Sequence, residues 1–315
     1  MNAIPAPLVV VGSSNTDMVV KTAQLPRPGE TVLGGTFLMN AGGKGANQAV
    51  AAARLGRFGS PPVVFVAKVG NDSLGQQALE QFRREHIDTR HILTDPHLPS
   101  GVALINVDER GENCIAVAPG ANHSLHPAEV EAALADVPGG GLLLVQLETP
   151  IPTVGAAIRA ARARGVRVVL NPAPAQPLPA DWLPCLTVIT PNETEAEQLT
   201  GIRVGDLATA ERAAQALRAT GVANVVLTLG PSGAYLLPDG ASTGWLVPAP
   251  AVVAVDTTAA GDCFNGALAV GLSEGQSLEQ AVAFACQAAA RSVTRFGAQA
   301  SMPYRRDLDE LPPIP

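Results

Sequence analysis

The chain has 315 residues, 47% of them hydrophobic, and a formal net charge of -7. That length buries an ample core as one large α/β domain or two, and the acidic balance argues against nucleic acid as the main partner. Cys114, Cys185, Cys263 and Cys286 are widely spaced with no C-x-x-C pair, which argues against a disulfide framework or structural zinc and fits a reducing compartment.

The opening MNAIPAPLVVVG lacks a charged leader region, and no apolar run reaches the length of a membrane span. No membrane partner and a cytoplasmic location are therefore expected. Short apolar runs at 8–12, 63–69, 142–147, 166–171, 188–190 and 224–229 read as buried strands. Helical patterns fall between them at 45–55, 73–85, 152–164, 193–200 and 207–220. Ser277-Leu-Glu-Gln280 is a capping box that opens a late helix running to about Val293. Strand alternating with helix predicts a mainly parallel sheet covered on both faces. Two regions break the alternation. Segments 18–21 and 31–40, and 101–107 and 113–119, read as paired strands with no helix to cover them, so they predict a separate small sheet.

Asn40 to Gly56 reads NAGGKGANQAVAAARLG, with Gly42, Gly43 and Gly45 around Lys44 and then Asn47 and Gln48. It is not a P-loop, because Gly45 stands where a Ser or Thr would hold magnesium. It is not a dinucleotide fingerprint either, since Gln48 replaces the third glycine. Close backbone approach to a small polar ligand, with Lys44 and Asn47 as hydrogen-bonding groups, is one reading; an ordinary glycine turn before a helix is the other. Lysine is scarce here (Lys21, Lys44 and Lys68, against 18 arginines), which makes Lys44 less easily filler.

Asp256 to Leu268, DTTAAGDCFNGAL, sets two carboxylates around small residues that open a helix. The N–H groups of Ala259, Ala260 and Gly261, with the partial positive charge of a helix N-terminus, make a seat for an anion. Asp262 stands at the same helix start, where it could accept a proton from a hydroxyl. An Asp there is also the usual helix cap. An anion seat beside a base suggests phosphoryl transfer.

Together these two segments resemble the signature regions of the PfkB carbohydrate kinase family. VVGSSNTDMVV (10–20), VQLETP (145–150), TPNETEAEQLTG (190–201), TLGPSGAY (228–235) and VTRFGAQAS (293–301) match it too, in the family's order and over nearly the whole chain. The first and last of these are most like the family's ribose-phosphorylating branch. The resemblance implies one α/β catalytic domain over 1–315, a three-layer α/β/α fold with a mainly parallel central sheet. It also implies a small β-sheet lid from about 15–40 and 100–120. A second copy of the lid could bury its apolar face, so a homodimer is expected.

By the same resemblance, Asn15, Asp17, Gly43, Lys44, Asn47 and Glu148 bind sugar hydroxyls. Asp262 deprotonates the sugar's primary hydroxyl, O5 of ribose, and the Ala259–Gly261 backbone stabilises the transferred phosphoryl group. ATP lies along the C-terminal half, near Asn192, Thr228, Gly230, Ser232, Gly233, Gly261 and Cys286, the last standing where the ribose-phosphorylating branch commonly has histidine. Asn192 and Glu195 match an element organising the Mg2+–phosphate region, although their spacing is equally a capping box. A monovalent cation, expected to be K+, would be held by oxygens of Asp256, Thr258, Ser292, Arg295, Gly297 and Ser301, several through backbone carbonyls; Asp256 could equally be a turn residue. Related sugars, a nucleoside, or a sugar sensor without catalysis are alternatives. Intact Asp262 and Gly261 argue against the sensor.

Overall fold

The structure, a computed structural model, describes residues 6–309; the first five residues, read above for a leader, lie outside that range. The strands in chain order are β1 (Leu8–Val11), β2 (Asn15–Lys21), β3 (Thr36–Gly42), β4 (Val64–Gly70), β5 (Ile92–Asp95), β6 (Gly101–Val107) and β7 (Asn113–Ala118). They continue as β8 (Leu142–Val145), β9 (Arg167–Leu170), β10 (Val188–Ile189), β11 (Asn224–Thr228), β12 (Ala234–Leu237) and β13 (Trp245–Val247). Among the described residues they form a nine-stranded sheet, ordered β13-β12-β11-β10-β9-β8-β1-β4-β5, and a four-stranded sheet, ordered β3-β2-β6-β7.

The large sheet is parallel from β5 to β11 and antiparallel only where β12 and β13 complete its edge. Its central strands are near-continuous apolar runs, as sheets covered on both faces require. Side chains alternate across β1: Leu8 and Val10 enter one core, and Val9 and Val11 the other. The first core is closed by α1 (Lys44–Leu55), α2 (Ser73–Arg84), α7 (Ala260–Ser273) and α8 (Leu278–Ser292). The second is closed by α3 (Pro127–Ala135), α4 (Ile151–Ala163), α5 (Glu193–Thr200) and α6 (Leu207–Ala219). The fold is a three-layer α/β/α sandwich.

The expected helices and buried strands are present with ends shifted by a residue or two. The second strand of the small sheet begins at Thr36 rather than at 31, because Gly34 and Gly35 adopt positive φ angles of 93° and 111° that interrupt an extended chain. Its partner begins earlier, at Asn15, which places Asn15 and Asp17 on a strand. Elements β5, β12, β13 and α3 lie outside the expected set.

Candidate active site

Three glycines allow the start of α1 to press against the chain leaving β1. A Cβ on Gly12 would lie 2.7 Å from Gly45 Cα, one on Gly45 would lie 2.6 Å from Gly12, and Gly43 takes φ 88°. On the far side, a Cβ on Gly266 of α7 would lie 2.7 Å from the Gln48 carbonyl oxygen. This close α1–α7 contact brings two side chains of α1 to Asp262. Asn47 Nδ2 donates to Asp262 Oδ2 at 2.9 Å, and Gln48 Nε2 donates to Asp262 Oδ1 at 2.9 Å. Asn47 Oδ1 is buried and has no hydrogen-bond partner among the described residues, so a bound hydroxyl would satisfy it.

Lys44 is the electrostatic hub. Burial favours its neutral form, but Asp262, Glu148, Glu195 and Asp17 outweigh it and raise its pKa above the ordinary value. It therefore stays an ammonium. Its Nζ lies 4.0 Å from Glu148 Oε1, while the Lys44 N–H and the Ser13 hydroxyl both donate to Glu148 Oε2. Asp17 responds to the same crowding: burial, then the charges of Glu148 and Asp262, push its carboxyl up to about 6 against the pull of Lys44. Asp262 is also raised, chiefly by burial, while Lys44 and the two amides favour its ionised form. Asn15 is fixed by a residue the sequence reading missed, since Asn122 Nδ2 donates to Asn15 Oδ1 at 2.8 Å. A Cβ on Gly101 would lie 2.2 Å from that oxygen. Carboxylates, amides and one ammonium at fixed spacing can bind vicinal hydroxyls.

At the start of α7, Ala259 adopts the left-handed conformation at φ 59°, an uncommon one for a residue with a Cβ. That geometry turns the chain into the helix, whose first intrahelical bond runs from Cys263 N–H to the Ala259 carbonyl. The N–H groups of 259–262 thus open the helix, with that of Ala260 resting on the Thr257 carbonyl at 3.2 Å. Asp262 itself does not cap the helix; its oxygens belong to α1.

At the start of α5, Asn192 and Glu195 form a reciprocal capping box: Glu195 N–H donates to Asn192 Oδ1 at 2.8 Å, and Asn192 N–H donates to Glu195 Oε2 at 2.9 Å. The cap does not exhaust Glu195. Burial raises its pKa, the Asn192 N–H and Lys44 lower it, and Asp262 raises it, so its carboxylate shares the field of Lys44 and Asp262. Thr228 bridges to Asn192, and Gly230, Ser232 and Gly233 form the tight turn after β11. A Cβ on Gly233 would lie 2.2 Å from the Val247 carbonyl oxygen. Cys286 is buried, with its thiol 3.8 Å from that same carbonyl and pushed up to about 12 by burial. It therefore belongs to the packing beneath the turn.

Asp256 draws two loops together, accepting from Thr258 N–H and from Gly297 N–H, each at 2.9 Å. Burial raises its carboxyl, but the donors from Thr258 and Gly297 outweigh that and hold it below the usual range. Arg295 N–H rests on the Ser292 carbonyl at 3.1 Å, and the Ser301 hydroxyl on the Ala298 carbonyl at 2.9 Å. Among the described residues no three His, Cys, Asp or Glu side chains gather to hold a metal. Carbonyl and carboxylate oxygens of this kind suit a hard cation rather than zinc.

Gln146, Asn171, Thr190 and Asn265, all buried, also converge behind Asp262. No sequence motif singles them out. Their one signal was position, because Gln146, Asn171 and Thr190 stand just after the apolar runs of β8, β9 and β10, where open α/β sheets bind ligands.

Residues 6–305 match the pfkB family carbohydrate kinase family, and the chain belongs to it. Within that family its relatives include ribokinases and, at 36% identity over 304 residues, a deoxyribokinase of Salmonella typhi. The ribokinase of Haemophilus influenzae is 44% identical over 304 residues, covering 96% of this chain and 97% of that protein. The crystal structure of a Thermotoga maritima ribokinase superposes with a TM-score of 0.86 at 39% identity, over 96% and 98% of the two chains. The structure of Arabidopsis thaliana ribokinase complexed with ribose and ATP gives 0.87 at 32% identity, over 98% of each.

Proposed function

We propose that this protein is an ATP-dependent ribokinase that transfers the γ-phosphoryl group of ATP to O5 of D-ribose, giving ribose 5-phosphate and ADP. The observation that carries the reading is Asp262, a buried carboxylate held by two side-chain amides at the opening of α7. Asp17, Lys44, Asn47 and Glu148 hold the ribose hydroxyls, with Asn15 and Gly43 completing the pocket. Asp262 accepts the O5 proton as O5 forms its bond to the γ-phosphorus. The bond from that phosphorus to the β–γ bridging oxygen breaks, and the electron pair leaves with ADP. The N–H groups at 259–261 face the charge on the phosphoryl oxygens, and Lys44 adds a fixed positive charge.

ATP occupies the surface formed by Asn192, Thr228 and the turn at Gly230–Gly233, over Gly261 and above buried Cys286. Glu195 would hold Mg2+ and its waters, which when bound neutralise phosphate charge. Asp256 and the carbonyls of Thr258, Ser292, Arg295 and Gly297, with Ser301, would hold K+, whose charge supports the anion seat. The four-stranded sheet acts as a lid over the sugar with the Asp17 face inward. Strand alternation puts Phe37, Met39 and Leu104, all exposed, on its opposite face beside Met18 and Val20. A second lid covers that face in a homodimer. The site of action is the cytoplasm; no helix among the described residues is long and apolar enough to cross a membrane.

ATP-dependent turnover of D-ribose, 2-deoxyribose, fructose and adenosine, each in KCl and NaCl, tests the reading. Ribose is expected to be the best acceptor, with higher turnover in KCl. Preference for another acceptor overturns the ribose assignment and leaves the phosphoryl transfer. Equal turnover in both salts removes K+ from the proposal.

A further inference from the structure

A closed circuit of buried polar side chains runs behind Asp262. Gln48 is fully buried. Its Oε1 accepts from Gln146 Nε2 at 2.6 Å, and its Nε2 donates to Asp262 Oδ1 at 2.9 Å and to Asn171 Oδ1 at 3.0 Å. Asn171 Nδ2 then donates to the Thr190 carbonyl at 3.1 Å, and Thr190 Oγ1 donates to Asn265 Oδ1 at 2.6 Å. Asn265 Nδ2 donates to the Gly261 carbonyl at 2.8 Å, one residue before Asp262. The circuit therefore begins and ends on adjacent residues of one helix start.

Burying such groups costs free energy unless each finds a partner, and apolar side chains would fill the same space without that cost. Packing alone does not call for amides here. What they supply is direction. Two acceptors, Asp262 Oδ1 and Asn171 Oδ1, lie at one end of the Gln48 amide and the Gln146 donor at the other, so an N–H faces the carboxylate, while Gln146 Oε1 itself is buried with no partner among the described residues. None of the circuit's members titrates in the working range, so that donor is permanent.

We propose that Gln48 is a positioning residue that holds the Asp262 carboxylate in one orientation and, through Asn171, Thr190 and Asn265, ties it to the Gly261 peptide of the anion seat. This rests on the reading of Asp262 as the base. Base and seat then move as one unit, and the ionised form of Asp262 keeps its donor at every pH. The charged groups facing Asp262 are Lys44 of α1, Asp17 of β2, Glu148 after β8 and Glu195 of α5. Substitutions in the circuit leave all four in place.

The test is steady-state kinetics of Gln48→Met, Gln48→Glu and Thr190→Val across pH, with thermal melts to establish folding. For Gln48→Met, kcat should fall about 10- to 100-fold with the ribose KM within about threefold, since misplacing a reacting group costs rate rather than binding. The acid limb of kcat should move to higher pH, because a donor to the charged form is lost. Gln48→Glu keeps the shape but sets a second carboxyl against Asp262, and should move that limb further. Thr190→Val should lower kcat several-fold without moving it. Folded Gln48 variants with wild-type kcat, or with lower kcat and an unmoved acid limb, overturn the inference. Should Gln48→Met not fold, Gln48→Glu decides alone. Asp262→Asn in the same assay separates the two failures. If it is inactive while the Gln48 variants resemble wild type, only the positioning role falls; if it stays active, the base assignment falls and takes the positioning role with it.

Discussion

The two sheets solve opposite problems. At the carboxyl end of the large sheet, polar side chains such as Gln48, Asn171, Thr190 and Asn265 are buried and hydrogen-bonded to one another. In the small sheet, apolar side chains such as Phe37, Leu104, Ile115 and Val117 are exposed, and the whole of β7 is accessible. The difference teaches where precision resides. A buried, hydrogen-bonded network holds reacting groups in a single geometry, whereas a sheet with little packed against it can move over a ligand or meet another copy.

The largest expected effect tests the precise region. Asp262→Asn should keep the fold, because Asn has the same shape, and lose about 10²–10⁴-fold in kcat, the usual worth of a general base. Activity within tenfold of wild type would break the contrast at its centre. Next come two glycines at close contacts, one from each region. A Cβ on Gly42 would lie 2.3 Å from Asp17 Oδ2, so Gly42→Ala should raise the ribose KM by about tenfold, roughly 1.4 kcal/mol of binding, with kcat little changed. A Cβ on Gly12 would lie 2.1 Å from Gln146 Oε1, so Gly12→Ala should cost about 1–3 kcal/mol of stability in urea unfolding. Reversed readouts would show the roles of the two regions exchanged.

Asp17 sharpens the comparison through pH. Its folded pKa of about 6 lies above the ordinary 3.8, so between those values the folded state binds more protons than the unfolded one. Stability therefore falls as pH rises through that window and levels off above it. Asp17→Asn removes the penalty: its melting temperature should exceed wild type at pH 7.5, converge towards pH 4, and come with weaker ribose binding. An equal difference at both pH values would refute the assignment. The smallest effect belongs to the outer face of the small sheet. Phe37→Ser should change subunit stability by no more than about 0.5 kcal/mol while reducing self-association in analytical ultracentrifugation.

Much of the fold was legible because apolar runs and helical periods are local. Six strands of the large sheet and all but one of its helices follow from them; its edge strands β5, β12 and β13 and the helix α3 do not. Candidate site residues that the structure brings together had a local signature: Lys44 and Asn47 in a glycine-rich helix start, Asp262 behind three small residues. Asn122 had none, and Asn171 only its place just after an apolar run. Each is an ordinary polar residue until the fold carries it to Asn15 or to Gln48.

By itself, then, the order of residues determined the alternating elements, the two glycine-bearing segments and the chemical types available for binding and proton transfer. Tertiary structure alone decided that Asp262 is held by α1 rather than spent as a helix cap, and that Glu195 both caps α5 and faces Lys44. It also decided that the polar side chains at three strand ends, two amides and a hydroxyl, join one network. The physical reason is distance along the chain. Gln48 and Asp262 are separated by 214 positions, and they meet only because Gly12, Gly45 and Gly266 let backbones approach more closely than any side chain would permit.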